Sequence, residues 1–264
     1  MTDTFLVTKE YRRFVEFCDA VRRHRYIGLC YGPPGVGKTL SARHYAHWDE
    51  LEPRLARLEL STEAGRHAWT PRTIIYTPTV TATPRRVHKD ITAASQWLSL
   101  VVNQADDTYE GPTQPGRADA NTELVVVDEA DRLKHLALEQ LRDHFDRTGV
   151  GLILIGMPGL EKRLARYPQL YSRIGFAHQY RPLGADELTF VLEHHYQRLG
   201  LTLTADDFTD AEAVAAVARI TGGNFRLVQR LFAQITRILE INNLSTITKE
   251  VVETARESLV IGPP

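Results

Sequence analysis

The chain has few of the residues and patterns that mark several protein classes. It contains two cysteines in 264 residues, Cys18 and Cys30, and their spacing is not that of a metal site. This excludes a disulfide framework, and we expect a reduced, cytoplasmic protein. No apolar run approaches the roughly 20 residues that a membrane-spanning helix needs, so we expect no membrane partner.

An excess of charge of one sign is also missing. The formal net charge of −1 gives no general attraction to nucleic acid or anionic membranes, so such affinity must come from local patches. Ten histidines occur, including His194 and His195, but they form no H-E-x-x-H pattern and have no cysteine partner. We therefore expect no zinc site.

Strands and helices alternate along the first two thirds of the chain. Four short apolar runs are typical of buried strands, at 26–31, 73–76, 124–127 and 150–155. Helical spacing of apolar residues separates them. The alternation predicts an α/β fold with a parallel sheet between helices. The segment 103–122 has Gly, Pro, Asp and Asn but no apolar period, which predicts a flexible surface loop.

After Pro182 the pattern changes to helices alone. We predict a nucleotide-binding α/β core with an N-terminal helix over residues 1–183. A small, all-helical C-terminal domain is predicted over residues 184–264. The length of 264 residues fits a core with a modest appendage.

The strongest motif is G-x-x-x-x-G-K-[ST] at residues 32–39, directly after a strand and before a helix. In such a loop, backbone N–H groups and the helix N-terminus face phosphates, Lys38 neutralises their oxygens, and Thr39 holds Mg²⁺. The motif predicts binding of ATP and Mg²⁺. The residues predicted to bind the nucleotide are Gly32, Pro33, Pro34, Gly35, Val36, Gly37, Lys38, Thr39 and Leu40.

A second motif follows the apolar run 124–127, which leads into Asp128 and Glu129. Asp128 is predicted to bind Mg²⁺ through water, and Glu129 to orient or deprotonate the attacking water. Together with Lys38, Glu129 would be catalytic, which predicts an ATPase. Residues 128–131 also spell the box of a helicase family, but the chain is too short for two helicase cores.

With these motifs the chain resembles the AAA+ ATPases over residues 5–259. Within them it resembles the transposition regulators of the TniB and TnsC type, relatives of the phage Mu B protein. Residues 125–133 and 156–160 carry this resemblance. It implies an AAA+ core with a small helical lid and hydrolysis of ATP to ADP and phosphate. The sensor-1 position of the family normally has Asn, Thr or Ser, whereas this chain has Gly156 and Met157, so we expect slow, assembly-dependent hydrolysis.

The resemblance also implies that subunits complete one another's sites. Arg173 is assigned as the catalytic arginine that reaches the neighbouring subunit, with Arg163 and Arg166 as open alternatives. Arg226, after Gly222, Gly223 and Asn224, matches the sensor-2 segment and is assigned to the nucleotide phosphates. The expected assembly is a homo-oligomer, either a ring or a helical filament.

The segment 79–89 matches the region that tracks a DNA backbone in the resembling proteins. Its predicted DNA-binding residues are Thr83, Arg85, Arg86 and Lys89, which would contact phosphates independently of base sequence and in a salt-sensitive way. A solvated charged face is the alternative for this segment. It is the favoured interpretation of a second basic cluster, formed by Arg12, Arg13, Arg22, Arg23 and Arg25.

The favoured functional hypothesis is an ATPase that assembles on double-stranded DNA and directs a transposase to target DNA, together with a target-selection adaptor. One alternative is another DNA-directed AAA+ ATPase, such as a helicase loader or an origin-recognition protein. A protein-binding ATPase switch without DNA is a third, because the net charge of −1 does not favour nucleic acid.

Overall fold

The structure is a computed structural model that describes residues 5–105, 121–204 and 207–259. The chain divides into two compact units. The α/β unit contains residues 11–32 and 38–180. The helical unit contains the described residues of 5–10, 33–37 and 181–259. The predicted boundary lies between residues 183 and 184, and the C-terminal part of the helical unit begins close to it, at Arg181. The main difference is that the segments 5–10 and 33–37, from the first part of the chain, group with the C-terminal helices.

The α/β unit is built on a five-stranded sheet with the order β2-β3-β4-β1-β5, in which all pairings are parallel. The strands are β1 (Ile27–Tyr31), β2 (Thr73–Tyr76), β3 (Leu124–Val127), β4 (Gly151–Gly156) and β5 (Ile174–Gln179). β3 and β4 are buried along their whole length, as expected of parallel strands covered on both faces. β5 forms an edge, and its residues alternate between half-buried and exposed. The predicted parallel sheet is confirmed.

The helices of this unit precede the first strand or connect successive strands along the chain. They are α1 (Lys9–His24, whose first two residues belong to the helical unit), α2 (Lys38–Tyr45), α3 (Trp48–Ala56), α4 (Thr62–Trp69), α5 (Pro84–Ala105), α6 (His135–Thr148), α7 (Leu160–Leu164) and α8 (Pro168–Tyr171). A 3₁₀ turn covers Ala130–Arg132. Sequence analysis did not predict α3 or α4. α3 contains Pro53, and α4 contains Gly65 and is capped by Ser61, so neither has an uninterrupted helical pattern.

The prediction of a surface loop over 103–122 is wrong at its start, and at its end Asn121 and Thr122 lie outside helices and strands, as predicted, but are not exposed. α5 continues to Ala105. After the gap, Thr122 is buried, and the Asn121 side chain donates hydrogen bonds to the Ser99 carbonyl at 3.3 Å and to Asn103 Oδ1 at 2.6 Å. The middle of the predicted loop, residues 106–120, lies outside the described residues.

The helical unit contains α9 (Ala185–Arg198), α10 (Phe208–Thr221), α11 (Phe225–Asn242) and α12 (Lys249–Glu257). One apolar cluster contributed by all four helices forms its core. Asp207, Asn224 and Thr248 cap the N-termini of α10, α11 and α12. Residues 5–10 join this unit through Glu10, whose backbone N–H donates to Glu187 Oε1 at 2.8 Å. The unit is therefore held by side-chain packing and helix caps.

Two expectations from composition can be compared with the structure. Cys18 and Cys30 are both buried and form no disulfide, and burial raises the pKa of the Cys18 thiol well above its usual value. Among the helices described here, none combines the length and the apolar character that crossing a membrane requires.

Candidate nucleotide site

The loop after β1 places Lys38 at the carboxyl edge of the sheet. β1 pairs with β4 and β5, and Gly32 N donates to the Gly156 carbonyl at 3.4 Å. Lys38 begins α2, and its Nζ donates to the Gly32 carbonyl at 2.6 Å. The side chain is almost buried, with 9% of its surface exposed. An ammonium held in this way at a helix N-terminus is a suitable partner for phosphate oxygens.

The middle of the loop, residues 33–37, contacts the start of α11 within the helical unit. Gly35 has a φ of +80°, which residues with a side chain rarely adopt. Asn224 Nδ2 donates to the Pro34 carbonyl at 2.8 Å, and Arg226 N donates to the Gly35 carbonyl at 2.9 Å. A Cβ added at Gly35 would lie 2.6 Å from Asn224 Oδ1 and 3.0 Å from Arg226 Cβ. The structure therefore brings Arg226 next to the loop.

Asn224 is a site residue that sequence reasoning did not single out. Besides binding the loop, its Oδ1 accepts the Leu227 N–H at 3.2 Å and caps α11. An asparagine directly before a helix is a recognisable capping signal, but its second bond, to a residue 190 positions earlier, is not visible in the sequence.

Thr39 and Asp128 meet although 89 residues separate them in sequence. Thr39 Oγ1 donates to Asp128 Oδ2 at 2.7 Å. Asp128 is 5% exposed, and its Oδ1 accepts the Glu129 N–H at 2.9 Å. The two residues follow β1 and β3, whose carboxyl ends lie at the same edge of the sheet. A hydroxyl and a carboxylate oxygen in contact are the type of ligands that Mg²⁺ prefers.

Glu129 has a backbone conformation that is uncommon for a residue with a side chain. Its φ is 53° and its ψ is 43°, in the left-handed region, directly before the 3₁₀ turn. The carboxylate forms an ion pair with Arg132. Arg132 Nη1 also donates to the Pro78 carbonyl at 3.1 Å, in the segment after β2. Glu129 is thus held by a residue that was not predicted to take part in the site.

At the end of β4, the Asp131 carboxylate lies beside Gly156. Asp131 Oδ2 accepts the Met157 N–H at 2.7 Å. A Cβ added at Gly156 would lie 2.5 Å from the same oxygen. Sequence reasoning treated Asp131 only as part of a motif and did not place it beside Gly156, since the contact depends on the neighbouring positions of β3 and β4.

The three arginines considered for a neighbouring subunit have different surroundings. Arg173 donates to both oxygens of Asp146, at 2.5 and 2.8 Å, and lowers the pKa of that carboxyl below its usual value. Arg163 donates to the carbonyls of Asp131, at 2.8 Å, and Leu133. Arg166 is exposed, and within the described part of the chain its side chain has no hydrogen bond or ion pair, although its backbone N–H donates to the Arg163 carbonyl at 3.2 Å.

The predicted DNA-binding residues lie at the start of α5. Thr83 Oγ1 accepts the Arg86 N–H at 3.3 Å. Arg86 itself pairs with Asp90 at 2.6 Å, which compensates its charge. Arg85 and Lys89 are exposed and lie one helical turn apart. They are therefore the basic side chains of this segment best placed to meet an external anion.

The second basic cluster, on and after α1, includes arginines with structural contacts. Arg22 donates to the Thr70 carbonyl at 2.6 Å and lies 3.3 Å from Asp19. Arg25 donates to the Gly149 carbonyl at 3.4 Å. These bonds favour the interpretation of this cluster as a solvated face that also ties α1 to its neighbours.

Comparison with known sequences gives one family and two informative relatives. The sequence model of a family described as AAA domain matches residues 21–164. A Staphylococcus aureus protein described as a potential ATP-binding protein is 46% identical, over 98% of this chain and 97% of its own length. The Mu-like prophage FluMu DNA transposition protein B of Haemophilus influenzae is 25% identical, over 87% of this chain and 71% of its own length.

Solved structures with low sequence identity share the fold. The Thermotoga maritima RuvB Holliday junction branch migration motor gives a TM-score of 0.59 at 16% identity, covering 96% of this chain and 70% of its own. The Aeropyrum pernix ORC1 protein in complex with DNA gives 0.56 at 19% identity, covering 96% and 65%. These likenesses confirm the predicted fold class, a parallel-sheet core followed by a C-terminal set of helices.

Proposed function

The chain belongs to the AAA-domain family, and we propose that it binds ATP with Mg²⁺ and hydrolyses the ATP to ADP and phosphate. The observation that carries this proposal is the contact between Thr39 and Asp128 beside Lys38. The two oxygens are 2.7 Å apart, and the ammonium is held at the start of α2. A phosphate-binding cation and a pair of metal-ligating oxygens at one sheet edge are the elements that phosphoryl transfer requires.

Each group has a distinct role in this proposal. Lys38 and the N–H groups of the loop bind the β- and γ-phosphate oxygens. Thr39 would hold Mg²⁺ directly and Asp128 through water, and the bound ion would neutralise phosphate charge. Glu129 orients or deprotonates the attacking water. The Glu129 carboxylate is paired with Arg132 and keeps further lone pairs that can accept a hydrogen bond from that water.

We further propose that a second copy of the chain completes the site through Arg173. Its guanidinium already binds a carboxylate with two parallel hydrogen bonds, the geometry in which arginine also binds a phosphate. Exchange of Asp146 for a γ-phosphate of the neighbouring subunit makes hydrolysis depend on assembly. The assembly is a ring or a helical filament of identical subunits.

We propose that this assembly forms on double-stranded DNA and directs a transposase, with a target-selection adaptor, to its target. Support comes from the 25% identity with a DNA transposition protein over 87% of the chain. The exposed pair Arg85 and Lys89 supplies positive charge for phosphate contacts without reading bases. This is the arrangement expected of a protein that accepts many target sequences.

The test is duplex-DNA binding and negative-stain imaging of the purified protein with Mg²⁺ and a slowly hydrolysed ATP analogue. ADP and the Lys38→Ala variant serve as controls. We expect oligomers that coat DNA only with the ATP analogue and that dissociate steeply as salt rises. Intact nucleotide binding without any DNA binding would contradict the DNA proposal and would favour a protein-binding ATPase switch.

A further inference from the structure

We propose that Asp131 is a positioning residue for ATP hydrolysis, which fastens the turn carrying Glu129 to the end of β4. The inference rests on the proposed ATPase function and assigns to this residue a role that the two sequence motifs leave open. Three independent features of the α/β unit support it. They are the space at Gly156, the hydrogen bond to Met157, and the strained conformation of Glu129.

The first feature is the space beside Gly156, the last residue of β4. A Cβ built there would lie 2.5 Å from Asp131 Oδ2 and 3.0 Å from its Cγ. Leu160 Cδ2 would also lie at 2.5 Å, but the end of a leucine side chain can rotate away. Any side chain at position 156 must therefore compete with the Asp131 carboxylate for the same place, which explains why a glycine stands here.

The second feature is a hydrogen bond to a fixed point of the sheet. Asp131 Oδ2 accepts the Met157 N–H at 2.7 Å, a charge-assisted bond to the backbone directly after β4. β4 lies between β3 and β1 in the sheet, and the Gly156 carbonyl accepts Gly32 N at the start of the phosphate loop. The Asp131 side chain thus connects the turn after β3 to the strand beside the loop.

The third feature is the backbone of Glu129, two residues before Asp131. A φ of 53° is unfavourable for a residue with a side chain and persists only where the surroundings determine it. Arg163 binds the Asp131 and Leu133 carbonyls, and Arg132 binds the Pro78 carbonyl. The turn is therefore held from α7 and from the segment after β2, and Asp131 supplies the connection to β4.

Loss of this connection should affect the reaction more than the binding of ATP. Without the carboxylate, the Met157 N–H loses its acceptor and the turn can relax, which moves Glu129. A displacement of about 1 Å can lower a rate by about 100-fold. ATP affinity depends mainly on Lys38 and the phosphate loop, whereas the Asp131 side chain accepts the Met157 N–H at the end of β4.

The experiment compares kcat, KM for ATP, and the Kd for a fluorescent ATP analogue among the wild type, Asp131→Ala, Asp131→Asn and the double variant Asp131→Ala/Gly156→Asn. We expect Asp131→Ala to lower kcat by about 10- to 100-fold while Kd stays within about threefold. Asp131→Asn should keep most of the rate, because its amide oxygen can still accept the Met157 N–H. In the double variant, an amide placed in the vacated space should restore part of the rate.

Several results would overturn the inference. One is a wild-type kcat in Asp131→Ala, and another is an Asn variant as impaired as the Ala variant. If Asp131→Ala does not fold, Gly156→Ala decides, since its methyl group displaces the carboxylate: a normal kcat in that variant refutes the role. A wild type that binds ATP but never hydrolyses it would overturn the proposed ATPase function as well. An active wild type with an unaffected Asp131→Ala variant would overturn this inference alone.

Discussion

Replacement of Arg173 separates a structural from a catalytic role, because the two roles predict effects of very different size. In the structure Arg173 makes two hydrogen bonds to Asp146, and each side chain is 31% exposed. A partly exposed ion pair of this kind contributes about 1 kcal/mol or less to folding. An arginine that neutralises charge on the transferring phosphate accelerates the reaction by about 1,000-fold or more.

Arg173→Ala should therefore leave the protein folded and able to bind ATP, but remove the stimulation of hydrolysis that assembly produces. The assay measures phosphate release against protein concentration, with thermal unfolding and ATP binding in parallel. Arg142→Ala is the matched control, because Arg142 binds the same Asp146 at 2.6 Å and also binds Glu139. This control should show a similar small loss of stability and an unchanged rate.

A mixing experiment tests whether the arginine acts between subunits. Arg173→Ala keeps its own Glu129, whereas Glu129→Gln keeps its own arginine, so each should be inactive alone. Mixed together, they should recover part of the activity, since one subunit can donate the arginine to the intact site of the other. Full activity of Arg173→Ala alone, or an equal loss of rate in the Arg142→Ala control, would refute the reasoning.

Three further predictions concern DNA binding, the cap of α11 and the pH dependence of the Arg173–Asp146 pair. Arg85→Ala and Lys89→Ala should each weaken duplex-DNA binding at all sequences and lower the salt slope by about one. The control Arg57→Ala, which changes an exposed arginine directly after α3, should do neither. In Asn224→Ala the Pro34 carbonyl loses a hydrogen-bond donor and α11 loses its cap. ATP affinity measured by titration should therefore fall, while hydrolysis at saturating ATP stays closer to normal. Unchanged affinity would contradict this prediction. The Asp146 pKa lies below its ordinary value of 3.8 because of Arg173, so the pair stabilises the fold above that pH and this contribution is lost as pH falls through the lowered pKa. Urea unfolding should therefore show a stability difference between wild type and Arg173→Ala near pH 7 that shrinks as pH falls below the ordinary value of 3.8. A difference independent of pH would contradict this prediction.

The sequence predicted the elements whose signals are local. β2 and β3 are short apolar runs bounded by turn residues, and both were predicted with the bounds that the structure has. The phosphate loop was recognised because its residues are contiguous between a strand and a helix. Helical spacing alone does not identify the buried residues around α6, since Leu136 lies in the helix and is 68% exposed, whereas Leu133 is buried just before the helix begins.

The contacts that shape the candidate site could not be predicted because they depend on the order of the strands. Asp131 lies beside Gly156 only because β3 and β4 are neighbours in the sheet. The bond from Arg132 to the Pro78 carbonyl likewise requires β2 beside β3. No periodicity in the sequence encodes such pairs, so the unusual end of β4 could be noticed from the sequence but not explained.

The most direct test of the account is phosphate release from ATP by the purified protein, with and without Mg²⁺, beside the Lys38→Ala and Glu129→Gln variants. We predict Mg²⁺-dependent hydrolysis by the wild type, loss of ATP binding in Lys38→Ala, and retained binding without hydrolysis in Glu129→Gln. A wild type that does not bind ATP, or a Glu129→Gln variant that hydrolyses it at the wild-type rate, would contradict the proposed site.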